Sequence, residues 1–148
     1  SLTDFYATFA QMVNHKLKDE EAVDSYSIWP ILSKQGASNR KDLVYESGKG
    51  YLSLRTPQLK LVFNGGSGGW GYPNKPADLA QLPPMQLFNL KEDPSEKENI
   101  IHDKCYEQEV KEMTQLIRKY VKEGRSTPGA EVANDTENDW KQVNIFMQ

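Results

Sequence analysis

The segment QLFNLKEDPSEKENI, residues 86–100, decides the fold because it joins a predicted strand to a predicted helix. Residues 86–90 are short and mostly apolar, and prolines precede them, which is typical of an antiparallel strand. Asp93-Pro94 ends this strand, because Asp93 is pushed out of the helical region and Pro94 fixes its own φ angle. We expect polar side chains to hold the turn by bonding nearby amides: Ser95, Glu96 and Asn99.

Three further strands are predicted before this segment. Residues 43–47 and 51–55 flank Gly48-Lys49-Gly50, which favours a hairpin because glycine adopts the positive φ of tight turns. In residues 51–55, leucines alternate with Tyr51, Ser53 and Arg55, so one face should be buried and the other wet. Residues 59–63 repeat this alternation. The sequence therefore predicts a four-stranded antiparallel meander.

A long helix is predicted near the C-terminus. Asp103 is a suitable N-cap and Gly124 a suitable left-handed C-terminal residue. Between them the apolar side chains form one stripe: Val110, Met113, Leu116, Ile117, Tyr120 and Val121. Because this stripe needs a partner surface, we expect the helix to cover the sheet.

An amphipathic helix is predicted near the N-terminus, with Thr3 as its cap. Its apolar side chains recur at spacings of three and four: Phe5, Tyr6, Phe9, Met12 and Val13. This face is rich for a terminal helix, so we expect it to pack on a larger body outside this sequence.

The expected fold class is α+β, in three segments. Residues 1–41 form the N-terminal helix and a connection, residues 42–123 the sheet and long helix, and residues 124–148 an extended tail. Apolar side chains indicate that the tail's end docks: Trp140, Val143, Ile145 and Phe146.

Composition excludes several classes of protein. The net charge of -3 is spread over mixed acids and bases, which does not predict a nucleic-acid surface. No apolar run reaches the roughly 18 residues of a membrane span, and no signal peptide begins the sequence. The single cysteine, Cys105, excludes an internal disulfide, and we expect a half-buried structural thiol there.

The segment between the third and fourth strands is long and rich in glycine and proline. Gly66, Gly68 and Gly71 match the GxGxxG spacing of dinucleotide sites, but Tyr72-Pro73 follows where that motif requires a helix. His15 and His102 lack the spacing of zinc ligands. Neither a nucleotide nor a zinc site is therefore predicted.

Several segments resemble type I sulfatases, the arylsulfatase A-like family of the alkaline phosphatase superfamily. QLFNLKEDPSEKENI resembles the strand and DPxExxN turn near the C-terminus of that family, and LRTPQLKLV resembles its preceding RxGxWKL segment. SGGWGYP, LPPMQL and YVKEGRSTPGAEVAND resemble a bacterial subgroup. LTDFYATFAQM and DSYSIWPIL resemble the family's DLYPT helix and DGxSxxPxL segment, so the likeness runs along nearly the whole sequence.

The resemblance implies the C-terminal subdomain of a sulfatase that acts on sulfate esters, including those of glycans. Such enzymes use a formylglycine made from a C/SxPxR motif, with a calcium ion. Cys105 is followed by Tyr106 and Glu107, and in the segment Ser126 to Ala130 an alanine replaces the arginine. We therefore expect no catalytic residue and no metal site here, and an inactive fragment whose parent carries formylglycine and calcium.

The expected partner is the N-terminal catalytic domain of the same polypeptide, together with sulfated carbohydrate. The resemblance also implies a periplasmic, cell-surface or secreted parent. Lys49 does not correspond to the family's active-site lysine, because Gly48-Lys49-Gly50 follows the DLYPT-like helix instead of preceding it.

Four residues are candidates for the rim of the substrate pocket: Tyr45, Glu46, Trp70 and Tyr72. The bacterial subgroup often has histidines where Tyr45 and Glu46 stand. Structural roles remain open for each, with Tyr45 in the core, Glu46 as a solvated strand end and the loop aromatics as anchors. The alternative function is a free-standing carbohydrate-binding or protein-interaction module, since an aromatic ring in a glycine-rich loop can stack on a sugar.

Overall fold

A computed structural model of the chain describes residues 1–133 and 142–147. The described residues form two compact units. One contains Ser1–Lys41 and residues 119–133, and the other contains Asp42–Arg118 and residues 142–147. No helix within the described ranges is long and apolar enough to cross a membrane.

The second unit is built on the predicted antiparallel meander. Its strands are β1 (Leu43–Glu46), β2 (Leu52–Arg55), β3 (Leu59–Val62) and β4 (Gln86–Asn89), and they pair in chain order. The short helix α3 (Pro76–Leu79) lies between β3 and β4 in the sequence. All three pairings are antiparallel. The prediction of a four-stranded sheet in an α+β fold is therefore confirmed.

Strand register separates the two faces of the sheet. Leu54 lies opposite Leu61, which lies opposite Leu87, and all three are fully buried. The other face carries Ser53 opposite Val62. Ser53 is only 6% exposed, so its predicted wet position is wrong, because Ser53 lies between Tyr45 and Val62 in a row of side chains across the sheet.

The long helix α4 (Glu107–Glu123) follows a 3₁₀ turn at Lys104–Tyr106. As predicted, Asp103 caps the start, where its Oδ1 accepts a hydrogen bond from the Cys105 amide at 2.9 Å. Gly124 ends the helix with φ +63°. A Cβ atom there would lie 2.1 Å from the Val132 carbonyl oxygen, so the position requires glycine for space as well as conformation.

The buried side chains of α4 cover the leucine face of the sheet. Met113 and Ile117 are 5% and 1% exposed. Near the start of the helix, Asn89 of β4 donates to the Tyr106 hydroxyl at 3.1 Å. These contacts confirm that the C-terminal helix covers the sheet, and burial of each large side chain contributes about 1.5–3 kcal/mol.

The end of the described chain also docks on this layer. The short helix α5 (Asn144–Met147) places the buried Phe146 ring against Phe63, with ring centroids 4.4 Å apart. Arg118 of α4 donates to the Phe146 carbonyl. Part of the segment that we expected to be extended is thus helical, whereas Trp140 lies outside the described residues.

The turn after β4 is held by Asn99, one of the three predicted polar groups, and by Asp93. Asp93 Oδ2 accepts from the Lys97 and Glu98 amides at 2.6 and 2.8 Å. Asn99 Oδ1 accepts from the Leu87 amide at 2.9 Å. Glu96 does not bond a local amide. Its carboxylate instead pairs with Lys60, which sequence analysis did not predict.

The first unit contains the N-terminal helix α1 (Phe5–Met12) and the short helix α2 (Trp29–Leu32). Ser1, not Thr3, caps the preceding 3₁₀ turn, so the predicted cap is wrong. Small residues of α1 face inward, with Ala7, Thr8 and Ala10 buried. The large apolar side chains are exposed instead: Phe5, Tyr6, Phe9, Met12 and Val13.

Cys105 is exposed, so the predicted half-buried thiol is wrong. The residue lies in the 3₁₀ turn before α4 instead of within the buried stripe. The Asp103 carboxylate raises the pKa of the thiol through a hydrogen bond and its negative charge. A raised pKa disfavours the thiolate, so the cysteine is not an activated nucleophile.

Candidate functional site

The face of the sheet opposite α4 forms a groove of about 530 Å³. One row of side chains crosses all four strands, because the register places Tyr45 opposite Ser53, Ser53 opposite Val62 and Val62 opposite Gln86. All four residues line the groove. A volume of this size is within the range of small-molecule sites.

A second row adds charge to the groove. Arg55 lies opposite Lys60, and Lys60 lies opposite Phe88. The Lys60 Nζ atom is 2.7 and 2.9 Å from the two carboxylate oxygens of Glu96. Arg55 Nη1 donates to the Tyr45 hydroxyl at 3.3 Å. The groove thus combines the Lys60–Glu96 ion pair, the Glu46 carboxylate at the end of β1 and a guanidinium that donates to a neutral hydroxyl.

The floor of the groove contains polar atoms that can form further hydrogen bonds. Gln86 Nε2 donates to the carbonyls of Asn64 and Gly66 at 2.8 and 2.9 Å. These bonds fix the amide so that its Oε1 is left to accept. The Ser53 hydroxyl has no protein partner among the described residues, although Ser53 is 6% exposed. Both groups can serve a bound hydroxyl or amide.

The glycine-rich segment forms one wall of the groove. Gly66, Ser67 and Gly68 line it, and Gly68 has φ +66°. The Lys49 amide donates to the Gly68 carbonyl at 3.1 Å, which ties this wall to the hairpin between β1 and β2. A Cβ atom on Gly68 would lie 2.9 Å from Ser47 Cβ, so a side chain there would displace the wall.

Two of the four predicted site residues lie in the groove, and the other two lie outside it. Tyr45 and Glu46 line the groove. Trp70 and Tyr72 do not, and they are 91% and 85% exposed. The position of a Cβ on Gly48 lies 3.9 Å from the Trp70 ring, so the ring approaches the hairpin although most of its surface faces solvent.

Sequence analysis missed three of the four charged residues that line the groove, namely Arg55, Lys60 and Glu96. They come from three segments of the chain, and only the register and the turn after β4 bring them together. One signal was available, since Lys60 stands at the lysine of the RxGxWKL-like segment and Glu96 within the DPxExxN-like turn.

The segment that partly matches the nucleophile motif has a structural role. Arg125 is 5% exposed, and its guanidinium donates to the carbonyls of Thr127 and Ala130 at 2.9 and 2.8 Å. A Cβ on Gly129 would lie 2.2 Å from Arg125 Nη1. This loop therefore wraps a buried arginine.

One of three comparisons with known proteins found matches. No protein-family model matches the sequence, and no curated protein matches it. Solved structures do match. One is a Bacteroides thetaiotaomicron protein from a core genetic locus for the metabolism of multiple glycosaminoglycans, with 24% identity and a TM-score of 0.60 over 78% of this chain.

A second match is described as a 2-O glycosaminoglycan sulfatase, with 19% identity and a TM-score of 0.57 over 80% of this chain. A third was determined in complex with its substrate D-glucosamine-2-N,6-O-disulfate, with 22% identity and a TM-score of 0.54 over 78% of this chain. The chain shares the fold of part of these proteins. It spans 24%, 24% and 22% of their respective lengths.

Proposed function

We propose that this chain is the C-terminal subdomain of a sulfatase, a hydrolase of sulfuric esters, and that it completes the enzyme's fold and the rim of its substrate pocket. The proposal rests on two values, the fraction of this chain that matches a sulfatase structure and the fraction of that sulfatase that this chain covers. About four-fifths of this chain matches a 2-O glycosaminoglycan sulfatase, yet the chain spans only 24% of that protein. A subdomain of a larger enzyme would match that enzyme over most of the subdomain's length but over only a small part of the enzyme's length.

The exposed face of α1 supports a partner outside this sequence. Tyr6 and Phe9 are 56% and 57% exposed, and Ile31 and Leu32 of α2 are 51% and 54% exposed. Contiguous exposed apolar side chains mark interaction surfaces in soluble proteins. We propose that this face packs against the N-terminal catalytic domain of the same polypeptide.

The chemistry is proposed to belong to that catalytic domain. Formylglycine has no source here, because the C/SxPxR motif is absent from the sequence. We propose that the calcium ion is held in that domain as well; among the described residues no three His, Cys, Asp or Glu side chains cluster. We therefore expect the isolated chain to be inactive and the parent enzyme to carry formylglycine and calcium.

The substrate class is proposed from the neighbours. Descriptions of two of them name glycosaminoglycans, so a sulfated glycan is the substrate to test. A periplasmic, cell-surface or secreted location follows for an enzyme that meets such polymers, and it is part of the same proposal.

The experiment compares three proteins: the complete reading frame that encodes these residues, the same frame ending just before residue 1, and residues 1–148 alone. Sulfate release is measured with 4-methylumbelliferyl sulfate and with sulfated glycosaminoglycan disaccharides. We expect activity only in the first protein and loss of that activity when the C/SxPxR cysteine or serine becomes alanine. Sulfate release by residues 1–148 alone would contradict the proposal. A complete reading frame that does not encode the C/SxPxR motif would also contradict it.

A binding module is the second candidate, and the exposure of Trp70 and Tyr72 favours it. Aromatic rings at 91% and 85% exposure can stack on a sugar face without catalysis. Titration of the W70A and Y72A variants with sulfated oligosaccharides tests this function, with tryptophan fluorescence as the readout for Y72A and calorimetry for both. Unchanged affinity in both variants rejects stacking by these rings.

A further inference from the structure

We propose that the groove on the uncovered face of the sheet binds an acidic sugar residue, and that Arg55 recognises its carboxylate or sulfate group. Only the origin of the ligand, a sulfated glycan, depends on the proposed function. The binding site itself depends on the geometry of β1 to β4 and the turn after β4.

The two cations of the groove have different partners, and Glu46 also lines the groove. Lys60 is satisfied by Glu96, with both carboxylate oxygens within 2.9 Å of its Nζ atom. Arg55 is exposed, and its hydrogen bond within the groove goes to the neutral Tyr45 hydroxyl at 3.3 Å. A guanidinium offers five donors arranged as a fork that matches carboxylate and sulfate oxygens. Arg55 is therefore the groove's anion-binding group.

The second argument is the polar floor. Ser53 is 6% exposed and lines the groove. Gln86 lies one cross-strand position beyond Val62. No buried side-chain polar atom of the described residues lacks a hydrogen-bond partner, so the Ser53 hydroxyl is open to the groove, where a sugar hydroxyl can donate to it and accept from it.

The third argument is the mixture of rings and polar groups. Tyr45, Tyr51 and Phe88 line the same groove as Ser47 and Ser67. Rings beside hydroxyls suit a sugar, which has apolar C–H faces and polar edges. The lining also differs from the α1 face, whose exposed side chains are nearly all apolar. The lining of the groove therefore suits a ligand that has both polar groups and apolar faces.

The experiment is titration of ¹⁵N-labelled residues 1–148 with three disaccharides, followed by NMR chemical shifts and calorimetry. The probes are chondroitin 6-sulfate disaccharide, the non-sulfated chondroitin disaccharide, which keeps the carboxylate, and the neutral N,N′-diacetylchitobiose. We expect shifts at the amides of Ser53, Val62 and Gln86 with both acidic disaccharides and weaker binding of the neutral one. If the two acidic disaccharides bind equally well, Arg55 recognises the carboxylate. If the sulfated disaccharide binds more tightly, Arg55 recognises the sulfate.

Two variants and one control complete the test. R55Q removes the charge from an exposed position and should weaken acidic binding about tenfold or more, the effect of losing one charge-assisted hydrogen bond of about 1.4 kcal/mol. S53A should weaken binding of all three probes. K111Q removes a charge from the exposed surface of α4 and should leave every affinity unchanged.

Two outcomes overturn the inference: no shift at the groove amides, or equal losses in R55Q and K111Q. These outcomes are separable from failure of the proposed function. If the full-length protein hydrolyses sulfate esters but the R55Q variant binds the acidic disaccharides normally, only the groove site is rejected. Groove binding by a chain whose reading frame lacks C/SxPxR rejects the sulfatase assignment alone.

Discussion

Lys60 and Glu96 join the third strand to the turn after the fourth, with the lysine Nζ atom 2.7 Å from the nearer carboxylate oxygen. Glu96 adopts φ +53°, a left-handed conformation that costs a non-glycine residue about 1–2 kcal/mol. The ion pair helps to offset that cost. It also removes one cation from the groove, which leaves Arg55 to interact with an anion.

The first prediction concerns this ion pair. A double-mutant cycle with K60M and E96Q should give a coupling energy of about 0.5–1 kcal/mol in the free energy of unfolding, as for partly exposed pairs. Urea denaturation followed by circular dichroism measures it. Additive effects of the two substitutions would show that the pair contributes no stability.

The second prediction concerns Asp4, whose side chain is 1% exposed and accepts from Arg40 Nε at 2.9 and 3.1 Å. Burial opposes its ionisation, but hydrogen bonds from Arg40 and the Tyr26 amide outweigh it and lower the pKa of Asp4. Ionised Asp4 therefore contributes stability above its unfolded pKa of about 3.9, and this contribution is lost as pH falls through the lower folded pKa.

The D4N variant tests this linkage. It should lose about 3 kcal/mol of unfolding free energy at pH 7, because it removes the buried carboxylate that accepts hydrogen bonds from Arg40. The difference from the original chain should shrink when urea denaturation is repeated from pH 5 down to pH 2. E20Q, at an exposed position, is the control. A stability difference that does not change with pH contradicts the linkage.

The third prediction concerns the end of α4. G124A should destabilise the chain by more than about 1 kcal/mol, because φ +63° disfavours alanine and the added methyl group would lie 2.1 Å from the Val132 carbonyl oxygen. Thermal unfolding measures the effect. K122A, at an exposed site near the end of the same helix, should change the melting temperature little, and an equally mild G124A would show that residues 124–132 do not pack as described.

The fourth prediction concerns the exposed face of α1. F9S should change the unfolding free energy by less than about 0.5 kcal/mol, as expected for a surface substitution, which urea denaturation measures. A10L, at a buried alanine, should destabilise by about 1–3 kcal/mol through overpacking. The reverse ranking would mean that the large apolar side chains of α1 face inward.

The sheet and the long helix were predictable because local signals carry them. Alternation in β2 and β3 fixes which leucines are buried, and Asp103 and Gly124 mark the helix ends through capping and φ requirements that act within a few residues. These signals need no knowledge of distant contacts.

The environments of single residues were less predictable. An apolar stripe on α1 predicts a packing surface, and Phe9 is 57% exposed among the described residues, because periodicity shows which side chains share a face and does not identify what covers that face. Ser53 reads as wet, yet it is buried within a row of side chains across the sheet. The joint placement of Arg55, Lys60 and Glu96 follows from strand register and one long-range ion pair, which sequence spacing does not report.

The most direct measurement is mass spectrometry of the native polypeptide that contains these residues. The account predicts a chain several times heavier than 16.9 kDa, with a tryptic peptide upstream of residue 1 in which the cysteine or serine of C/SxPxR has become formylglycine. A native polypeptide of 16.9 kDa, or a longer one without that modified peptide, would contradict it.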